Sequence, residues 1–375
     1  MKSLTSGLCI AFAALNLGGL GCGAAEPDEA VGKVREALSI SSWSSLVGMA
    51  SSGTYVLTAD IDAAGRTWTP KTFSGSLDGN GFTISNVTIN NGSFFSRLTN
   101  ASVQRIAFTN LRLTGTSLMV GGLAGVATNT TIRRVAVEAD IDVSATAVGG
   151  LVGSMTGGII RTSYAKGTID GNILYSGGLV GIADEGEAQA TIMESYAQVT
   201  VNPVTTNPFV VAGGIVGSAD AGIIHDVYAV GDVTGRESVG GIAGSLWCSA
   251  LDSSYQLFKT IYRGDVKDLN RSPSTGGWAG PVGRVRPCSV RVGMNYWDKS
   301  LDRSTNWDTS VDGTGYTTTE LQSPTTVTGG VFCGADPLNP TRCGDLTWSS
   351  PPWTPGTSSQ HHVLTNMPGP NAQPR

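Results

Sequence analysis

From Tyr55 onward the chain alternates apolar and polar residues in short runs: Tyr55 with Leu57, Phe82 with Ile84, Val87 with Ile89, then Val103, Ile106, Phe108, Leu111 and Leu113. A period of two turns one face of each run towards a core, so these segments predict strands. Asp78-Gly79-Asn80-Gly81 predicts a sharp turn between two of them. Between Ser39 and Ser52 the spacing becomes helical, with Trp43, Leu46, Val47 and Ala50 at i, i+3, i+4 and i+7 behind Ser41 and Ser42 as N-caps. A short amphipathic helix there is placed to cover the open end of a stack of strands.

The apolar pattern then falls into register with a recurring five-residue phrase. It reads Gly121-Gly122-Leu123-Ala124-Gly125, Gly149-Gly150-Leu151-Val152-Gly153, Gly177-Gly178-Leu179-Val180-Gly181, Gly213-Gly214-Ile215-Val216-Gly217 and Gly240-Gly241-Ile242-Ala243-Gly244, at steps of 28, 28, 36 and 27 residues. A period of this size marks a solenoid, in which no copy can bury its apolar face alone. Leu123, Leu151, Leu179, Ile215 and Ile242 are therefore expected to form one core column. A second element repeats between the phrases, as Arg161-Thr162-Ser163-Tyr164-Ala165, Met193-Glu194-Ser195-Tyr196-Ala197 and His225-Asp226-Val227-Tyr228-Ala229, with a degraded copy ending at Ser254-Tyr255. Tyr164, Tyr196, Tyr228 and Tyr255 share a phase and predict an aromatic ladder. About three short strands per unit make an all-β parallel β-helix the expected fold.

Composition agrees with many tight turns. Gly accounts for 51 of 375 residues, about twice the usual share, and charged residues for 14% against roughly 25%. The net charge of -5 offers no basic field for nucleic acid. Residues 1–21 hold one charge, Lys2, and an apolar run from Leu8 to Leu20 too short to span a bilayer, the pattern of an export signal. Gly19-Leu20-Gly21-Cys22 resembles a bacterial lipobox, although Gly19 stands where leucine is usual, so Cys22 is the expected lipid attachment site and 22–40 a flexible tether. Ordinary cleavage near Gly23-Ala24-Ala25 is the alternative. In an exported chain the four late cysteines, Cys248, Cys288, Cys333 and Cys343, are expected to form two disulfides. The pairing closest in sequence joins Cys248 to Cys288 and Cys333 to Cys343. Without a CxxC spacing or interleaved histidines, zinc is disfavoured.

The Gly-Gly-Leu-Val-Gly phrases with their Ser-Tyr-Ala segments resemble the GLUG repeat of large bacterial surface proteins, including stalks of IgA-cleaving metallopeptidases and adhesin-like proteins. The blocks Tyr55–Ile84 and Asn295-Tyr296-Trp297-Asp298 extend the resemblance over about residues 41–325. It implies a right-handed parallel β-helix, expected at 41–258, with irregular C-terminal coils at 259–347 and a Pro/Ser-rich, partly disordered tail at 348–375. Trp348 and Trp353 are expected to pack on the last coil.

Candidate chemistry is sparse. His225, His361 and His362 form no HExxH, and no nucleophile elbow has a partner histidine. Asp60 with Asp62 and Asp140 with Asp142 are pairs spaced by two along strands, the arrangement a carbohydrate-cleaving site on a β-helix would need. Asp302, Asp308 and Asp312 suit a calcium loop, but the calcium-binding nonapeptide is absent. Asn86, Asn91, Asn100 and Asn129 fit the glycosylation sequon, which in a bacterial lipoprotein reads as chance. No catalytic residue, metal or cofactor is assigned. The leading expectation is a non-enzymatic surface-anchored display or adhesion module, held to the membrane by its lipid and binding glycans or cell-surface proteins weakly and multivalently. A polysaccharide lyase or glycoside hydrolase, and a purely structural spacer, are the alternatives.

Overall fold

The computed structural model describes residues 36–184, 189–220, 222–247, 254–269, 278–285, 289–298, 300, 314–316, 353–354 and 363–364. From Leu38–Ile40 to Thr314–Tyr316 the strands form one continuous sheet. Every pairing in it is parallel, each strand bonding to the equivalent strand one coil away. The chain is thus an all-β parallel solenoid. One core column runs through Tyr55, Leu77, Val103, Ile132, Ile160, Ile192, Ile224 and Leu257. A second runs through Trp68, Ile89, Leu113, Ile141, Ile169, Val201, Val233 and Val266. All sixteen side chains are buried, which is what alternating apolar runs dictate once coils stack without slippage.

The coil lengthens along the axis. Thr54 pairs with Ser76, Thr88 with Arg112, Ser102 with Thr131 and Val152 with Val180, offsets that rise from 22 to 24 to 29 and settle at 28. Its corners are made by single residues in the left-handed region. Arg105, Arg134, Thr162, Glu194 and Asp226 hold φ between 48° and 53° at one corner of five successive coils. Beneath this corner Ser163 Oγ accepts the Val135 N–H and Ser195 Oγ accepts the Ser163 N–H, each hydroxyl donating to the carbonyl two residues back. Both serines are fully buried, so the serine of the Ser-Tyr-Ala segment bonds one coil to the next. Asn86, Asn91, Asn100 and Asn129 also have positive φ, from 48° to 59°. Asparagine tolerates this conformation better than most side chains, which explains why these four sequon positions carry it.

The glycine phrases stack in register, Gly121 on Gly149, Gly177, Gly213 and Gly240. Leu123, Leu151, Leu179, Ile215 and Ile242 lie one above another, each of the first four donating its N–H to the carbonyl of the next, and all five are fully buried. The three glycines answer three separate constraints. A Cβ on the first would strike the carbonyl three residues ahead, as at Gly149 against Val152. On the second it would strike the second glycine of the next coil and a side chain across the core, as at Gly178 against Gly214 and Ala197. On the third it would strike backbone of the coil before, as at Gly217 against Gly181.

Register exposes two phrases hidden in the sequence. Gly280-Pro281-Val282-Gly283 is a sixth copy, one residue shorter, with Gly240 on Gly280 and Ala243 on Val282. Phe95 pairs with Ala124, so Ser93-Phe94-Phe95-Ser96 stands where the last four residues of the phrase stand, with serines in place of its two glycines. The ladder therefore continues through 278–285, inside the segment that reads as irregular in the sequence, and on through 289–298, where the resemblance of Asn295-Tyr296-Trp297-Asp298 predicts a coil.

Three further expectations change. The helix spans only Trp43–Val47, with Ser42 as N-cap in a capping box with Ser45. Its face is Leu46, buried, and Trp43, edge-on to Trp68 at 5.7 Å. Val47 and Ala50 are exposed because the helix ends at Gly48, before a second full turn forms. Lys71 Nζ, donating to the Val47 and Met49 carbonyls, closes that end. Leu38–Ile40, within the stretch read as tether, is a strand paired with Thr54–Leu57. Tyr255 pairs with Gly222 and Ile261 takes the place opposite Tyr228, so Tyr255 is no member of the ladder. In the tail, Trp353–Thr354 and Val363–Leu364 form an antiparallel pair. Cys22, Cys248, Cys288, Cys333, Cys343, Asp302, Asp308, Asp312, His361, His362 and Trp348 lie outside the described residues.

Candidate functional surface

One coil departs from the repeat. Val152 pairs with Val180, Ile159 with Thr191 and Tyr175 with Val211, so the offset steps from 28 to 32 to 36. The eight extra residues enter in two lots of four, one between Asp184 and Thr191, the other between Pro203 and Val211. The next coil sheds five residues at the place of the second lot, because Val201 pairs with Val233 at an offset of 32 and Val211 with Ser238 at 27. The extra chain at 204–210 adds no rung. It leaves the wall where Val204 N–H bonds the Gly171 carbonyl, carries the local bonds Asn207 N–H to Thr205 Oγ1 and Phe209 N–H to Asn207 Oδ1, and rejoins the wall where the Val210 carbonyl accepts the Arg236 and Glu237 N–H groups.

This loop splits the solenoid wall into two open grooves that share Asn172. One, of about 560 Å³, runs past Asn202, Thr205 and Arg236 to Leu269. The other, of about 460 Å³, runs past Thr116, Ser144 and Asn207 beside Leu118 and Leu174. Thr116, Ser144 and Asn172 are in register on three successive coils, giving the second groove a stacked polar floor. The rims are apolar. Leu118 is 75% exposed, Val204 66% and Leu269 51%, and Phe209, on the loop itself, is 65% exposed; these are four of the seven large hydrophobics exposed among the described residues. Apolar side chains gathered in this way around amides and hydroxyls mark a contact surface.

The residues nominated from sequence lie elsewhere and are held in ladders. Asp60 accepts the Thr83 N–H one coil on. Asp62 accepts the Asn86 amide and the Ala64 N–H, which hold its carboxyl below the ordinary 3.8. Asn110 continues that ladder onto Asn86. Asp140 accepts the Thr168 hydroxyl, while Asp142 faces Asp170 of the next coil, itself bonded to Asn202. His225 bonds Asp226 at 2.6 Å on the corner column. Tyr164, Tyr196 and Tyr228 stack at 4.7 and 4.8 Å, nearly parallel, and burial pushes the Tyr196 and Tyr228 hydroxyls well above the ordinary phenol value. These rings are buried and offer no stacking platform to a ligand. Asp184, absent from the nominated set, is raised by burial and then by Asp220 beside it. Among the described residues no three His, Cys, Asp or Glu side chains are placed to hold a metal.

Residues 144–170, one coil from the groove floor at Ser144 through the corner at Thr162 to Asp170, match the family model described as the GLUG motif. The chain carries a GLUG repeat. Among solved structures, an IgA1 protease superposes with a TM-score of 0.54 at 23% identity, over 73% of this chain and 23% of that one. A Bacteroides ovatus protein assigned by name as an immunoglobulin A1 protease aligns at 21% identity and a TM-score of 0.39, over 52% of this chain and 75% of that one. The GLUG chain therefore spans about a quarter of the first structure, and at that identity the likeness is one of fold. No curated protein matches the sequence.

Proposed function

We propose that this GLUG solenoid is a surface display and adhesion module whose contact face is the pair of grooves around Asn172. One observation carries the reading: the loop at 204–210 breaks the repeat, extends no rung, and raises apolar rims over a polar floor. A pure spacer has no use for such an insertion. Export by residues 1–21, a lipid on Cys22, disulfides among the late cysteines and a right-handed winding belong to the same proposal, supported by the lipobox-like sequence and by the hand that parallel crossovers take. The shallow grooves suit weak contacts that gain strength by repetition.

The reading is tested by binding the full chain to a panel of surface glycans and surface proteins, with Leu118→Ser/Val204→Ser/Phe209→Ser beside it. These side chains are exposed, so the triple variant keeps its stability to within about 0.5 kcal/mol per site. Retention of the native chain by at least one panel member, weakened about tenfold in the variant, is expected. No retention, or retention the variant leaves unchanged, contradicts it.

A further inference from the structure

We propose that the corner at Arg133 and Arg134 binds an oxyanion, a sulfate or phosphate group, gripped between two guanidinium groups. The chain has 24 cationic residues in 375, yet Arg105, Arg133, Arg134 and Arg161 fall on three successive coils at one corner. Gln104, Arg133 and Arg161 are in register. Arg105 and Arg134 are the left-handed residues immediately after Gln104 and Arg133.

The two ends of this strip are neutralised. Asp78 takes Arg105 through two bonds and also accepts the Gln104 amide. Glu194 takes Arg161 through two bonds, at 2.7 and 2.9 Å, and accepts the Thr162 hydroxyl. The middle coil has no such acid. Arg133 and Arg134 form no ion pair among the described residues. Arg134 Nε is buried with no hydrogen-bond partner. The groups facing them from the adjacent coils are Gln104, Arg105, Arg161 and Thr162.

The backbone argues that these side chains serve a purpose. Asparagine occupies six other left-handed positions of this chain, at Asn80, Asn86, Asn91, Asn100, Asn110 and Asn129, where its short side chain fits. Arginine at Arg134 takes up the same conformation at greater cost, and Arg133 beside it stands one strand spacing, about 4.8 Å between backbones, from Arg161 of the next coil, so the corner gathers positive charge that repels itself. A tetrahedral oxyanion offsets that repulsion, and the flat guanidinium fork matches two of its oxygens at once.

The test titrates the full chain with sodium sulfate, inorganic phosphate, heparin and vesicles containing an anionic lipid, against sodium chloride at equal ionic strength. Arg133→Gln and Arg134→Asn are compared with Arg97→Gln, an exposed arginine on another wall. Asparagine preserves the left-handed corner at 134, so a lost fold does not confound that variant. Saturable binding and a raised melting temperature are expected, with affinity about tenfold weaker in each of the two variants and unchanged in Arg97→Gln. Response to free ions, to heparin alone or to vesicles alone identifies whether the group is carried free, on a polymer or on a membrane. A response matched by chloride, or one that both variants retain, overturns the site and leaves the groove proposal untouched.

Discussion

Between Tyr55 and Phe108 the interior is filled by rings, whereas between Gly121 and Gly244 much of it is closed by bringing backbones together. In the early coils Trp68 stacks on Phe94 at 4.5 Å, Phe94 meets Phe108 at 4.7 Å, Phe73 meets Phe95 at 5.5 Å, and the Trp68 Nε1–H finds the Phe94 carbonyl. Along the same columns the residues then shrink. Phe108 gives way to Val137, Ala165, Ala197 and Ala229, and Phe73 to Leu98, Ala127, Met155 and Ala183. Opposite the first column stand Gly122, Gly150, Gly178 and Gly214. Removing atoms should therefore hurt the aromatic coils most, and adding them the glycine coils.

Phe94→Ala carries the largest expected effect. Phe94 is fully buried among three rings, and truncation leaves a cavity that costs about 3–5 kcal/mol, read as a fall in denaturant midpoint. Gly178→Ala comes next. Its Cβ would meet the Gly214 carbonyl and Ala197, neither free to move, for a loss of about 1–3 kcal/mol or more. Gly65→Ala is the control, because nothing lies within 4 Å of that position and only its positive φ of 76° resists the change. Equal losses at Gly178 and Gly65 would dissolve the distinction between the two regions.

Two smaller effects sharpen it. At the Asn129 corner, with φ 48°, Asn129→Ala should cost about 1 kcal/mol and Asn129→Gly close to none, measured by thermal unfolding. Asp184 titrates above the ordinary 3.8 because of burial and Asp220. A raised carboxyl is a penalty on the folded state above its folded pKa, and the penalty vanishes below the unfolded one. Asp184→Asn should therefore stabilise the chain at pH 7 and lose that advantage by about pH 3, by well under 1 kcal/mol for a half-exposed group. An unchanged advantage at both pH values contradicts the assignment.

The glycine coils were legible because steric collisions dictate their residues one by one, so the phrase repeats wherever backbones approach. The aromatic coils were legible only as alternating strands. Phe94-Phe95 performs the task of Leu123-Ala124 with no glycine to advertise it, and Gly280-Pro281-Val282-Gly283 hides behind a deleted residue. Tyr255 shows the opposite failure: a Ser-Tyr pair looked like the ladder motif, while pairing of Leu257 with Ile224 fixes its phase elsewhere. The groove surface appeared in the sequence only as a step of 36 among steps near 28. A length cannot say which wall the extra residues leave, nor that Leu118 from three coils earlier shares the rim. The Arg133–Arg134 corner was invisible because Asp78 and Glu194 meet its flanking arginines only through stacking.

Stacking in register is tested most directly by oxidative cross-linking on the outer wall, where Thr168 pairs with Thr200 and Val201 with Val233. Thr168→Cys/Thr200→Cys places the two sulfurs one strand spacing apart, about 4.8 Å between backbones and within disulfide reach, whereas Thr168→Cys/Asp232→Cys spans two spacings and exceeds it. Peptide mass spectrometry should find the first cross-link in high yield and not the second. Comparable yields from both pairs, or a cross-link only in the second, would contradict a solenoid of registered parallel coils.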